Sequence, residues 1–159
     1  MKRLRFENGP LDAIDGRILA ALIENARVSH AELGRRVGLS APSVAERVRR
    51  LEEAGVIEGY SARIQPSALG LAIAAWIRVK PLPGKLKTVE ALLVGIPEVV
   101  TCDRVTGEDC FLAKANLPSI GDLELLIDTL LPHATTTTAI VQSTPIPPRP
   151  PHFHRDPIA

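Results

Sequence analysis

Apolar residues recur at helical spacing through the first third of the chain, and after residue 70 the period changes to that of strands alternating with helices. In "LDAIDGRILAALIENA", Leu11, Ile14, Ile18, Leu19, Leu22 and Ile23 form one stripe, with Asp12 placed to cap the helix. "SHAELGRRVG" follows, with Ser29 as cap, Leu33 and Val37 four apart, and Gly38 as the stop. Ser40 opens a third helix, Pro42 sits in its first turn, where a missing N–H costs little, and Gly55 ends it. Val44, Val48 and Leu51 are its buried stripe. "VIEGYSARI" reads as a short extended piece broken by Gly59, and "PSALG" at 66–70 as a linker.

Beyond the linker, "LAIAAWIRVK" reads as a strand stopped by "PLPG", and "LKTVEALLVGI" as a helix with Val89, Leu92, Leu93 and Ile96 inward. "EVVTCDRV" and "CFLAKANL" are strands joined by a "TGED" turn, "PSIGDLELLIDTLL" is a second helix, and "TTTTAIVQST" a last strand. The order β-α-β-β-α-β is the ferredoxin-like pattern, in which both helices cover one face of the sheet. Ala72, Ala74, Trp76, Val99, Phe111, Ala113 and Ile140 are spread over both faces, so the uncovered face is expected to be partly apolar and to be buried by another copy. The tail, "PIPPRPPHFHRDPIA", is too rich in proline for helix or sheet. The expected organisation is α+β: a helical domain with a linker strand over 1–65, a ferredoxin-like domain over 66–145, and a tail over 146–159.

Composition narrows the function classes. Of 159 residues, 45% are hydrophobic and 23% charged, as in an ordinary folded protein, and the longest apolar run, Leu69 to Ile77, is far short of the roughly twenty residues needed to span a membrane. "MKRLRFENGP" has charge but no apolar stretch behind it, so it does not read as a secretory signal, and the expected location is the cytoplasm. Cys102 and Cys110 have no metal-ligand spacing, His152 and His154 lack further ligands, and no nucleophile–base pair or carboxylate dyad is visible, so neither a metal, a cofactor nor an enzymatic activity is expected. Net charge is +1, but from Arg27 to Arg50 six arginines (27, 35, 36, 47, 49, 50) face Glu32 and Glu46, a local excess of four. A basic segment on a neutral chain points to a polyanion-binding module.

The second and third helices, joined at "VGLSAP", have the proportions of a helix-turn-helix, with Gly34 allowing close approach and Gly38 making the turn. The third helix would offer Ser40, Ala41, Pro42, Ser43, Glu46, Arg47 and Arg50 to the major groove of double-stranded DNA, with Arg35 and Arg36 on phosphate. Arginine suits this because its planar fork grips guanine edges or phosphates bidentately. The competing reading is a solvated helix face, with Glu46 paired to Arg50 and Arg49 to Glu53. Agreement among caps, glycines and stripe favours DNA.

The run "SVAERVRRLEEAGVIEGY", continued by "VTGEDCFLAKA" and "TTTTAIVQST", resembles the Lrp/AsnC family of feast/famine transcriptional regulators over roughly residues 10 to 145. The resemblance implies a winged helix-turn-helix, a ferredoxin-like domain that dimerises through its sheet, assembly into octamers or larger rings, and an amino-acid effector held between dimers. By position, Thr106, Gly107, Glu108, Asp109 and Cys110 carry over to the effector site, with Thr136 and Thr138 more loosely. Several family members have an acid where this chain has Cys110, and Asp109 stands one residue earlier. Two other readings use the same architecture: a haem-pathway decarboxylase-like protein, and an architectural DNA-binding protein without effector control.

Overall fold

Asp12 starts α1 (Ala13–Glu24): its carboxylate accepts from the Ile14 and Asp15 amides at 2.8 and 2.7 Å, and Asp15 accepts in return from the Asp12 amide at 3.3 Å. This reciprocal capping satisfies amides that have no partner inside the helix. Ser29 caps α2 (His30–Val37) and Ser40 caps α3 (Ala41–Glu53), each through its hydroxyl to the amide three residues on. The computed structural model describes residues 11–151. Ile18, Leu33, Val37, Val44, Val48 and Leu51 meet in one core among the three helices.

The turn between α2 and α3 depends on two glycines. Gly38 closes α2 at φ 77°, a backbone state that L side chains resist. The carbonyl of Gly34 accepts from the Gly38 and Leu39 amides at 2.8 and 3.0 Å, which folds the turn back onto α2. A Cβ on Gly34 would stand 2.5 Å from the Leu39 carbonyl oxygen. Only glycine lets the two helices close at this distance.

After α3 the Val56 and Ile57 amides both bond to the Leu51 carbonyl. The extended piece expected there forms no strand: among the described residues there is none before residue 73. Gly59, at φ 155°, interrupts it, and a lone extended segment has no ladder to stabilise it. The expected linker is a single 3₁₀ turn, Pro66–Leu69, closed by Gly70. The chain divides into two compact units, Arg63–Pro147 and the chain up to Ala62 together with the segment from Pro148.

In the second unit the elements follow as β1 (Ile73–Pro81), α4 (Leu86–Gly95), β2 (Val99–Arg104), β3 (Phe111–Leu117), α5 (Ile120–Leu130) and β4 (Ala134–Ile140). The strands form an antiparallel sheet in the order β2-β3-β1-β4, with β1 paired to β3 from Ile73↔Leu117 to Val79↔Phe111 and to β4 from Ala75↔Ile140 to Pro81↔Ala134. Ala75, Ile77, Val79, Phe111, Ala113 and Ala115 are buried with Val89 and Leu93 of α4 and Leu123, Leu126 and Leu130 of α5. The expected inward stripe of α4 is in place, with Leu92 and Ile96 half-buried beside it. Small alanines beneath the helices offset the scarcity of aromatic residues.

Register decides which residues face away from the helices. Opposed residues share a face, so Val99 (opposite Ala115), Phe111, Ala113 and Ile140 (opposite Ala75) belong to the helix side. Of the strand residues expected to be shared between the faces, Ala74 and Trp76 are left on the open face, with Leu112, Ala139 and charged neighbours. Lys114 Nζ lies 5.7 Å from the centre of the Trp76 ring, within cation–π range. The strand β4 stops at Ile140, and Val141 adds one bond to the Ala74 carbonyl.

Gly34→Ala should destabilise the protein by about 1–3 kcal/mol in urea unfolding, because the new methyl meets backbone that cannot step aside. Gly121→Ala, whose Cβ would meet only Ser119 Oγ at 3.6 Å, should be neutral or stabilise by up to about 1 kcal/mol.

Candidate nucleic-acid interface and effector loop

The polar side chains of α3 sort by direction. Pro42, Ser43 and Glu46 are exposed, as is the cap Ser40, while Ala41 is partly covered. The Ser40 and Ser43 hydroxyls are 2.8 Å apart. Arg49 lies across Glu46 and Glu53 on the surface, so Glu46 pairs with Arg49 rather than with Arg50. Arg50 is half-exposed, with Nη2 4.0 Å from Asp15. On α2, Arg35 pairs with Glu32 and is largely in solvent, and Arg36 bridges Glu32 and Glu24 of α1 at 3.1 Å each.

Arg47 departs from the sequence expectation. The sequence pattern puts it among the DNA-facing side chains, but its guanidinium turns inward, and Nη1 donates to both Asp12 Oδ2 and Asp15 Oδ1 at 2.7 Å. The helical period explains this: Arg47 lies three residues after Val44 and four before Leu51, at the edge of the buried stripe. Asp15 is 4% exposed, and a buried carboxylate requires a bonded counter-charge. Sequence reasoning missed Asp15 as a functional residue. The signal was present in Asp12-x-x-Asp15 at a helix start together with an arginine on a core-facing stripe.

Asp12 carries the electrostatic trace of this clamp. Partial burial acts to raise its pKa, but the Asp15 amide, the Arg47 guanidinium and the Ile14 amide together hold it below the usual carboxylate value. The same carboxylates hold the Arg47 pKa up, against its partial burial. Arg17 adds a second tie from α1, donating to the Val37 carbonyl at 3.2 Å.

In the second unit, Val105–Cys110 joins β2 to β3, wider than the expected four-residue turn, and closes with a bond from the Val105 amide to the Cys110 carbonyl at 2.9 Å. Gly107 adopts φ 121°. The amides of Thr106, Gly107, Glu108 and Asp109 make no hydrogen bond among the described residues. Asp109 Oδ2 lies 3.6 Å from Arg78 Nε and Glu108 Oε2 3.9 Å from Lys80 Nζ, so both acids lean toward open-face residues of β1. The Cys110 amide donates to the Val79 carbonyl at 3.1 Å, and its side chain packs against the core.

Thr136 and Thr138 are not brought to these acids. They pair with Val79 and Ile77, which puts them on the helix side of the edge strand. Cys102 is exposed, yet partial burial of its thiol, with Asp103 and Glu90 nearby, pushes its pKa up and makes it a poor nucleophile at neutral pH. Among the described residues no group of three His, Cys, Asp or Glu could hold a metal, and no helix is long and apolar enough to cross a membrane. His152 and His154 lie outside the described residues.

Residues 11–52 match the AsnC-type helix-turn-helix domain and residues 74–151 the Lrp/AsnC ligand binding domain. The HTH-type transcriptional regulator YezC of Bacillus subtilis is 40% identical over 134 residues, covering 84% of this chain and 95% of that protein. The chain belongs to the Lrp/AsnC family. Two solved structures from the family show the same fold. Bacillus subtilis LrpC superposes with a TM-score of 0.80 at 32% identity, covering 86% of this chain and 97% of that one. The feast or famine regulatory protein from M. tuberculosis complexed with L-methionine gives 0.82 at 36% identity, covering 88% and 97%. As a member of this family the protein is a helix-turn-helix transcriptional regulator.

For this Lrp/AsnC head, Arg47→Ala should lower unfolding free energy by about 3 kcal/mol, because Asp15 keeps its burial and loses its bonded cation. Arg35→Ala, on the surface, should change stability by no more than about 0.5 kcal/mol. Since the folded pKa of Asp12 lies below its unfolded value, its contribution is full above the unfolded pKa and is lost as pH falls through the folded one. Urea midpoints measured from about pH 5 to pH 2 should therefore fall more steeply for the wild type than for Arg47→Ala.

Proposed function

We propose that this regulator reads a specific DNA site with the exposed N-terminal half of α3, acts as a homodimer that builds to an octamer or larger, and responds to an amino acid at the Val105–Cys110 loop. The observation that carries the DNA reading is the fixed attitude of α3. Half-buried Arg47 clamps the helix from behind through Asp12 and buried Asp15, while Ser40, Pro42, Ser43 and Glu46 stay on its exposed side. Ala41 and Ser43 suit contacts to base edges, Arg50 suits a bidentate base or phosphate contact, and Arg35 and Arg36 suit phosphate. Their present partners are half-exposed Glu32 and exposed Glu24, and such surface pairs cost little to exchange for phosphate. A cytoplasmic location goes with the DNA reading, since that is where such a target would be met.

The dimer reading rests on the open face of the sheet, where Trp76, Ala74, Leu112 and Ala139 form an apolar centre between Arg78, Lys80 and Lys114. The effector reading rests on the four unengaged amides of Thr106 to Asp109, which suit a carboxylate, and on Glu108, which is almost fully exposed and suits an ammonium. Support also comes from the L-methionine complex of the M. tuberculosis relative. Thr136 and Thr138 would join such a site from a neighbouring copy, since within one chain they lie on the opposite side of the sheet from the loop acids. Cys110 replaces an acid and leaves the ammonium to Glu108 or Asp109.

Fluorescence anisotropy against the DNA upstream of the protein's own coding region should show a site preferred over random sequence. Its log K should fall linearly with log salt, by roughly 0.9 per phosphate neutralised. Arg50→Ala should cost about 1–3 kcal/mol and relax the sequence preference, whereas Arg35→Ala should weaken binding to all sequences and flatten the salt slope by about one. Equal affinity for random DNA would refute the specific reading. A panel of the twenty amino acids at millimolar concentration should contain at least one that stabilises the protein, by about 2.7 kcal/mol at a hundred times its dissociation constant. A flat panel would remove amino-acid sensing and leave an effector-independent DNA-binding protein.

A further inference from the structure

We propose that an apolar groove on the outer side of α1 is the docking site of the chain's own proline-rich C-terminal segment, residues 148–159. The helix is apolar on two sides. Ile18 and Ala21 enter the core of the head, Leu19, Leu22, Val56 and Ile57 pack half-buried against its edge, and with exposed Ile23 and Tyr60 these edge residues line a groove of about 720 Å³. Ile23 and Tyr60 are about half exposed, at 47% and 51%. A patch of this kind beside polar neighbours marks an interaction surface rather than a random scatter of apolar residues.

Three observations select the occupant. Pro150 and Pro151 already line the groove, and the segment from Pro148 groups with the head rather than with the sheet domain. Eight residues follow Pro151, and they bring Phe153 and Ile158 as further apolar side chains. Fully extended as a polyproline helix they span about 25 Å, longer than the roughly 18 Å of the twelve-residue α1. Charge agrees as well: Glu58 stands at the groove, and the segment carries Arg149 and Arg155 against Asp156.

The chemistry of the segment suits the site. Five of the seven residues from Pro145 to Pro151 are proline, so the backbone is already extended and loses little entropy on docking. Such segments are recognised by apolar, aromatic-lined grooves, and Tyr60 supplies the ring, its hydroxyl donating to Glu52 at 2.9 Å. The consequence is that residues 148–159 cover the outer side of the helix whose first turn holds Arg47.

A labelled peptide of residues 148–159 is titrated, by fluorescence anisotropy, into the full chain and into a chain ending at Pro147. Among the described residues none beyond Ala134 enters either core, so the shortened chain should keep both folds. The shortened chain should bind the peptide at least about tenfold more tightly than the full chain, whose own segment competes. Ile23→Lys in the shortened chain, at a half-exposed position that spares the fold, should abolish that binding, and Phe153→Ala in the full chain should raise peptide uptake. Equal binding to full and shortened chains, or binding indifferent to Ile23→Lys, would overturn the proposal. So would a shortened chain that takes up peptide only when diluted below its self-association, because a second copy would then be what covers the groove.

Discussion

A carboxylate at 4% exposure is costly to bury without bonded partners, and the head is arranged around providing them for Asp15. Arg47 meets it at 2.7 Å and shares the same nitrogen with Asp12, while Asp15 also accepts from the Asp12 amide. One pair of aspartates therefore starts α1 and fixes α3, two jobs that sequence separates by thirty-two residues or more. Arg17 ties α1 to the end of α2, and Gly34 lets α2 and α3 close on each other. The helix proposed to present side chains to DNA is thus oriented by a polar contact at its back as well as by apolar packing. An apolar pair of the same volume could supply packing energy, but it would not specify which helix end meets which.

The same reasoning separates the arginines by what they can do. The doubly bonded Arg47 guanidinium is committed to the fold, since withdrawing it strands the buried Asp15 carboxylate. Arg35, Arg36 and Arg49 are also paired, yet their partners Glu32, Glu24, Glu46 and Glu53 are on the surface. Water and salt already compete for those pairs, and exchange of a glutamate for a phosphate releases an acid that is readily hydrated. The local excess of four positive charges is consequently not all available to DNA; the exposed pairs are the reserve and Arg47 is not.

Most of the architecture was legible in the chain because its signals are local. Ser29, Ser40, Gly38 and the stripe of Val44, Val48 and Leu51 act within one or two turns, and the β-α-β-β-α-β order follows from the change in period. What was not legible depends on neighbours. Arg47 on an amphipathic helix looks like a surface arginine until Asp15 is known to be buried opposite it. The faces of Val99, Phe111, Ala113 and Ile140, and of Thr136 and Thr138, depend on strand register, which a single-residue slip reverses. The extended piece around Gly59 had strand-forming residues but no partner strand within the described chain, and propensity without pairing does not make a strand.

Register also links the two proposed roles of the sheet. Along β1 the residues alternate between Ala75, Ile77 and Val79, which build the core, and Trp76, Arg78 and Lys80, which face the open side. Glu108 and Asp109 of the loop lean on Lys80 and Arg78, on the same face and the same strand as Trp76. A ligand that took over either acid for its ammonium would release a cation next to the apolar centre expected to join two copies. Trp76 is already in contact with one cation, Lys114, and further uncompensated charge there would be costly once desolvated. The loop acids therefore have a second part in the proposed arrangement: in the free chain they neutralise cations on the face proposed to join two copies.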